Sequence, residues 1–536
     1  MTSTIAVPLS LRPPALARPI TSLVVGLRAE IFAVTILVAV ALAARWPLLL
    51  LSPQFPSIGA TIMRALDLAD GHAFPLADDS PYIGAPFIYL LALAYKLVGP
   101  SVEVTLLVPW AIGGLTVIPT YLLGRELAGR AGGLFAGALL ATAGAHIVVT
   151  SHVPLSHSLT PLGSTVTLWL LARAVVRRNG SSLAMAGLGA GFTLQTHPTV
   201  FPLLAGSAVA ALLVHPAWLR TRWPYLAMAL VVLGYGTLLA YHIQTNFAVI
   251  ANIEGKQERY LDGGQDVDDA TDRGVYLNNL AQLSLSLVRM ASGAIDDRNQ
   301  TADYLSDPWV LSYPALAVLG AVIAARRGNP LLLVALVLAV FWPPLLSGKY
   351  KPILDGRYLM PDLPVIFVDI AVTFSALAGL AMRSIPAVRV AGGALLFVLI
   401  MAMVLHPLVP LERFYEESQE DGFSNARYFQ TLAQLRAAGA MSELVFLDTH
   451  LVEVKSPGGG KAGASFAWLL AVSRIPTQSW QAGDDPTSLA GHLAILERST
   501  AEALKQHVDL VPLEGRRIPG RDRESYRAYR ISTLER

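Results

Sequence analysis

The sequence predicts an α-helical polytopic membrane protein of about eleven transmembrane helices, followed by a C-terminal extracytoplasmic α/β domain. Three observations carry this. Hydrophobic residues fill 54% of the 536 positions and charged residues only 15%, against about 25% charged in an ordinary soluble domain. The mean hydropathy is +0.51. The charges are also uneven: 32 of the 78 lie in residues 412–536, so the first part is membrane-like and the last soluble-like.

A span needs about 20 mostly apolar residues. Such runs lie near 29–50, 104–123, 132–150, 159–176, 183–196, 199–214, 224–245, 308–325, 330–347, 361–381 and 391–411. Pro86–Val98 is apolar but short, which suits a twelfth element or an interfacial helix. Ala41-Leu42-Ala43 resembles a cleavage site but sits inside the first run, so that run reads as an uncleaved anchor. Lys and Arg near the span ends divide fourteen against six. The larger set, with Arg125, Arg130, Arg173 and Arg177, places the N-terminus in the cytoplasm. A multi-pass plasma-membrane protein follows, with a cytoplasmic tail at 1–28, a membrane domain at 29–411 and an outer domain at 412–536. Its long outer loops are 51–103 and 247–307, the second carrying eleven acids.

The outer domain reads as α/β. Ser424–Ala438 has helical periodicity and a Gly439 stop. Glu443–Asp448 reads as a strand, and Ser499-Thr500-Ala501-Glu502 fits a capping box opening a second helix.

Composition excludes several classes. Forty basic against 38 acidic residues leave +2, no signature of a nucleic-acid partner. High hydrophobicity with low net charge excludes a disordered chain. Without cysteine there is no disulfide, Cys-ligated zinc, iron–sulfur cluster or thiol nucleophile. P-loop, H-E-x-x-H and G-x-S-x-G motifs are absent from the sequence. Asp266, Asp268, Asp269 and Asp272 lack the Gly and Glu of a calcium loop and read as a solvated acidic loop. No cofactor and no metal are expected.

A charge at a bilayer centre costs about 2.5–3.5 kcal/mol on insertion scales, so cations at a span end call for partners. The sharpest cluster is Lys349, Lys351 and Arg357, on the outer side just before a span. An Arg fork with nearby ammonium groups suits a phosphate, and at this boundary a lipid phosphate. The competing reading is snorkelling side chains with Asp355 as a local ion-pair partner.

Arg357-Tyr358-Leu359-Met360-Pro361, followed by Leu363-Pro364, resembles the RYLLPxLP signature of the protein O-mannosyltransferase and aminoarabinose transferase superfamily, membrane glycosyltransferases of the GT-C fold. Tyr82-Ile83-Gly84-Ala85-Pro86 with Tyr89-Leu90-Leu91 resembles that superfamily's first-loop segment. Gly113–Val117 and Leu122–Gly129 resemble its second span, and Gln195-Thr196-His197-Pro198 its GLxxxTKP stretch. The matches run over roughly residues 30–380 and leave the C-terminal domain uncovered.

The resemblance implies a polyprenyl-phosphate sugar donor in the membrane lipid, and an acceptor hydroxyl on an unknown glycan, lipid or protein. Transfer would be a single inverting displacement. Arg357, Lys349, Lys351, Tyr358 and Arg45 would hold the lipid phosphate. The superfamily's base is a first-loop carboxylate about fourteen residues before a Gly, but that count from Gly71 gives Ser57. Serine has no useful basicity, so either another acid serves or the chain is a non-catalytic binder of lipid-linked sugar. Asp67 and Asp70 sit three apart on an amphipathic helix, where a solvated face is expected. The Asp78 and Asp79 pair, before Tyr82, is the leading candidate. Asp296, Asp297, Asp303 and His197 follow, although a histidine between spans is commonly a structural hydrogen-bonder. The second outer loop offers only His152 and His157. A secondary transporter fits least, because no repeated halves are visible.

Overall fold

The computed structural model describes residues 20–51, 59–78, 82–151, 154–248, 273–293, 295, 308–342, 358–420, 426–448, 462–481, 484–513 and 526–534. The chain opens with α1 (Ile20–Arg45) and a short helical turn, Leu48–Leu51. The first long loop holds α2 (Gly59–Asp70) and α3 (Pro86–Val98). The bundle continues with α4 (Val102–Leu115), α5 (Val117–Thr142), α6 (Gly144–Ser151), α7 (Leu159–Arg177), α8 (Gly180–Thr196), α9 (Phe201–Val214), α10 (Trp223–Gly234) and α11 (Gly236–Gln244). After α12 (Arg273–Ser292) come α13 (Pro308–Arg326), α14 (Leu331–Phe341), α15 (Leu363–Met382), α16 (Pro386–Leu405) and α17 (Leu408–Glu420).

Each apolar run of the sequence contains a helix. Among the described residues, five stretches are long and apolar enough to cross a membrane: Val102–Thr142, Ser156–Arg177, Pro308–Arg326, Met360–Met382 and Pro386–Glu416. The α10–α11 pair, bent by 62°, makes a sixth if taken as one span. Within α5, Gly129 at φ 79° breaks the helix. Gly124 and Gly133 then meet closely, since a Cβ on Gly124 would lie 2.9 Å from the Gly133 Cα. Loop 247–307 also holds more than an acidic segment. Leu283, Leu287 and Met290 of α12 lie in the main bundle core with Leu139, Leu168 and Phe367.

Lipid is as apolar as leucine, so helix association here relies on close packing and polar contacts. Glycines supply the first. A Cβ on Gly191 of α8 would sit 2.2 Å from the Val231 carbonyl oxygen, and one on Gly187 2.1 Å from that of Ala227. Polar contacts supply the second. Glu30 of α1 pairs with Arg125 at 2.8 Å and Arg130 at 3.0 Å. Glu126 pairs with Arg177 at 2.7 Å and Arg173 at 3.6 Å. Four arginines that the sequence assigns to the inner side thus meet two acids and tie α1, α5 and α7 together.

The C-terminal domain contains α18 (Ala426–Ala437), α19 (Ala462–Val472) and α20 (Arg498–Leu504). Its strands are β1 (Val445–Asp448), β2 (Thr477–Trp480), β3 (Leu493–Glu497), β4 (Val508–Pro512) and β5 (Tyr526–Thr533), in the order β2-β1-β3-β5-β4. The first three are parallel, with Val445 opposite both Thr477 and Leu493, and the last two are antiparallel. The predicted strand and first helix form, and Gly439 at φ 94° follows the helix. The predicted capping box does not. The α20 N-cap is Glu497, and Ser499 is already helical, its hydroxyl donating back to the Glu497 carboxylate at 3.0 Å.

This domain shares a core with the first long loop. Ile62 and Leu66 of α2 and Leu91 of α3 lie in one apolar cluster with Leu435, Leu447, Phe466 and Leu469. At its edge Arg474 donates through both terminal nitrogens to Asp70, at 2.8 and 2.6 Å. Asp70 is therefore an interdomain partner rather than only a solvated-face residue. The hydrogen-bonding Arg474 guanidinium holds the Asp70 carboxyl below its usual range.

Replacing Gly191 by Leu drives a side chain into the α10 backbone. The expected cost is at least the ~1–3 kcal/mol typical of overpacking, read as a lower melting temperature in detergent. A carboxyl depressed by folding contributes stability above its unfolded pKa and loses it as pH falls through the lower folded value. The Asp70–Arg474 contact should therefore persist from neutral pH down to about 5, since an unperturbed Asp titrates near 3.9. Amide hydrogen exchange of α2 across that range tests this.

Candidate functional site

The site grows from the segment after α2. Ala77 and Gly84 form an isolated antiparallel bridge, and the Asp78 N–H donates to the Ile83 carbonyl at 2.8 Å. Arg64 of α2 donates to the Ala77 carbonyl at 3.0 Å. The Gly84 N–H then donates to the Gln195 carbonyl at 2.7 Å, which fastens the loop to the C-terminal end of α8. Only glycine fits there, because a Cβ would lie 2.2 Å from the Gln195 side-chain oxygen. Gln195 is itself fixed, its amide donating to the Gly234 carbonyl at 2.5 Å and its oxygen accepting from Thr237 at 2.6 Å.

Asp78 is buried at 7% exposure. Burying a carboxylate is costly unless it is hydrogen-bonded. Thr61 of α2 donates to its Oδ1 at 2.8 Å, and Ser156, from the turn before α7, donates to its Oδ2 at 2.9 Å. Each carboxylate oxygen thus meets at least one hydroxyl donor. Its orientation is set by two elements far apart in sequence.

The residue after Ser156 enters a ring cluster. The His157 and His197 ring centroids are 4.3 Å apart. Tyr358 lies 5.0 Å from His197 and 5.7 Å from His157, and Tyr82 lies edge-on to His197 at 6.0 Å. The Thr199 N–H donates to His197 Nδ1 at 3.3 Å, and the Thr199 hydroxyl lies 2.9 Å from the same nitrogen. This keeps Nδ1 as an acceptor and assigns the proton of the neutral ring to Nε2. The fold thus brings together Asp78, Tyr82, His157, His197 and Tyr358 from four separate stretches of chain. Asp362, two residues before Pro364, is a buried acid in the turn that opens α15, and nothing in the sequence pattern marks it.

Arg45 is packed inside the helical bundle. Its side chain is fully buried. It donates through Nε to Ser151 and through Nη1 to the Ala41 carbonyl, both at 2.8 Å, and Nη2 lies 2.8 Å from His146 Nδ1. A buried guanidinium needs such partners, and they hold it inside the α1–α4–α6 packing. Gly113 of α4 makes the room, since a Cβ there would lie 2.4 Å from the Ser151 hydroxyl and 3.1 Å from Arg45 Nε. Asp79, Lys349, Lys351, Arg357, Asp296, Asp297, Asp303, Ser57 and His152 lie outside the described residues. Among the described residues no group of three or more His, Asp or Glu is placed to hold a metal ion.

The fold has known counterparts. The crystal structure of ArnT from Cupriavidus metallidurans bound to undecaprenyl phosphate matches with a TM-score of 0.56 at 14% identity, covering 94% of this chain and 98% of that one. Its apo state matches over the same shares, with a TM-score of 0.50 at 15% identity. The chain has the GT-C fold. Residues 84–241 match the dolichyl-phosphate-mannose-protein mannosyltransferase family, a stretch that includes Ser156, His157 and His197. A dolichyl-monophosphooligosaccharide–protein glycotransferase, AglB of Haloferax volcanii, is 40% identical over 74 residues. That match spans 12% of this chain and only 7% of the relative's length. In this version of the GT-C fold the Tyr82–Pro86 segment, the His197-Pro198 turn and the Tyr358–Pro364 segment converge at one place.

Arg45→Ala would leave Ser151 and His146 without their shared partner inside the bundle. With about 1–3 kcal/mol per buried polar group left unsatisfied, the expected result is a marked loss of thermal stability, measured on the detergent-solubilised protein.

Proposed function

We propose that this chain is an integral membrane glycosyltransferase that moves a sugar from a polyprenyl-phosphate donor to an acceptor hydroxyl at the outer face. The observation that carries the reading is the meeting of two unlike parts. Tyr358, next to the cationic Lys349–Arg357 segment in sequence, packs against His157 and His197, and the residue before His157 holds the Asp78 carboxylate. Cationic support for a leaving phosphate and a base for an incoming hydroxyl are what such a transfer requires.

In this reading the acceptor oxygen attacks the anomeric carbon as the bond from that carbon to the lipid phosphate oxygen breaks. The hydroxyl proton passes to Asp78. The departing phosphate keeps the electron pair, and Lys349, Lys351 and Arg357 take up its charge, with a hydrogen bond from Tyr358. One displacement inverts the anomeric centre. His197 and His157 line the site, while Asp79, Asp296, Asp297 and Asp303 are the remaining candidates for the base. Arg45 supports the bundle beneath. The N-terminus lies in the cytoplasm and the C-terminal domain outside, in line with the arginines gathered around Glu30 and Glu126.

A second reading rests on Ser57, which stands where the superfamily's acid is expected. A relative that keeps the cationic segment without that acid would bind lipid-linked sugar and not transfer it.

The test uses the purified full-length protein with a panel of polyprenyl-phosphate hexoses and pentoses and short glycan, lipid and peptide acceptors. Transfer by the unaltered protein, a fall of about 10²–10⁴ in kcat for Asp78→Asn, and retained donor binding in that variant are expected. Arg357→Ala should lose both binding and transfer while expressing normally. Binding without transfer by the unaltered protein favours the second reading. Normal turnover in Asp78→Asn removes Asp78 as the base.

A further inference from the structure

We propose that the C-terminal domain sets the position of the Asp78 carboxylate through α2, with Arg474 and Asp70 as the clamp. This rests on the assignment of Asp78 as the base. Arg474 and Asp70 are positioning residues that lie at the opposite end of α2 from the site.

Three observations carry it. First, α2 is a lever with both ends engaged. Its N-terminal Thr61 donates to Asp78 Oδ1, its Arg64 donates to the Ala77 carbonyl, and its C-terminal Asp70 takes both terminal nitrogens of Arg474. Second, α2 lies between α3 on one side and the C-terminal domain on the other. Its Ile62, Ala65 and Leu66 share one core with Leu91 of α3 and with Phe466 and Leu469 of α19. A shift of that domain therefore moves the helix that carries Thr61. Third, Arg474 occupies a left-handed turn at φ 55°, between α19 and β2. Glycine suits that backbone better than any residue with a side chain. An arginine kept in an unfavourable conformation, with its fork closed on one carboxylate, points to a use for the side chain.

Magnitudes separate positioning from stability. Arg474 and Asp70 are 49% and 27% exposed, and solvent-screened pairs of this kind contribute little to stability. Catalytic geometry is less forgiving, since a misplacement of about 1 Å can cost on the order of 100-fold in rate. Losing the clamp should therefore affect turnover far more than folding.

The test compares Arg474→Gly, Arg474→Lys, the exchanged pair Asp70→Arg with Arg474→Asp, and Asp78→Asn, all in the full-length protein. Arg474→Gly removes the guanidinium and relieves the turn, so its melting temperature should hold or rise. Amide hydrogen exchange in residues 59–78 should nevertheless speed up severalfold, with exchange in α7 and α15 unchanged. In the transfer assay kcat should fall about tenfold, with the donor KM within twofold. Arg474→Lys should recover part of the loss, and the exchanged pair more. Unchanged exchange in 59–78, or unchanged kcat in Arg474→Gly, overturns the clamp. A fall in melting temperature matched by a uniform loss of active protein at constant kcat also overturns it. Full turnover in Asp78→Asn instead overturns the base assignment on which the clamp depends, while the exchange measurement still reports on the contact itself.

Discussion

The hydrogen-bonded seat of one buried carboxylate organises one end of this molecule. Asp78 is out of water, and a charge in that position must be met by donors. Thr61 and Ser156 meet it from opposite sides. One comes from the first long loop and the other from the turn that starts α7, so the carboxylate joins the loop to the bundle. The same turn then delivers His157 to His197 and Tyr358. The clip from Gly84 to Gln195 holds the loop down, and the loop in turn frames the ring cluster. The proposed chemistry needs this order of assembly, because a base on an untethered loop would not keep its distance from the donor.

A second polar cluster uses a different solution to the same problem. There the acids Glu30 and Glu126 gather the arginines of neighbouring helices. Between the two ends, glycines let helices approach where lipid offers little drive for apolar association. Arg45 belongs to this framework. At the C-terminal end of α1, its nitrogens bond with Ser151, Ala41 and His146. Its burial is made possible by Gly113, a residue whose importance lies in what it leaves empty.

Much of the framework was legible because it follows from local composition. The apolar runs, the charge-rich end and the first helix and strand of the α/β domain each depend on residues near one another. The site was legible in pieces. Asp78, His197 and Tyr358 stood out as an acid before a motif, a histidine between spans and a motif tyrosine. Ser156 and Thr61 carried no signal, since a serine or threonine near a span end is ordinary until its partner is known. Asp362 was hidden at the variable position of the motif. Asp70 was read as a solvated residue, because its helix is amphipathic and the partner lies 404 residues away.

The sequence by itself determined that the chain is a membrane bundle with a charge-rich C-terminal domain, because hydropathy and charge act within about 20 residues of chain. It also marked the segments to which the proposal assigns phosphate and acid chemistry. Only the tertiary structure decided which polar groups meet. Hydrogen bonds and ion pairs act over a few ångströms in space and are indifferent to separation along the chain, so the partners of Asp78, Arg45 and Asp70 emerge only when the helices are packed.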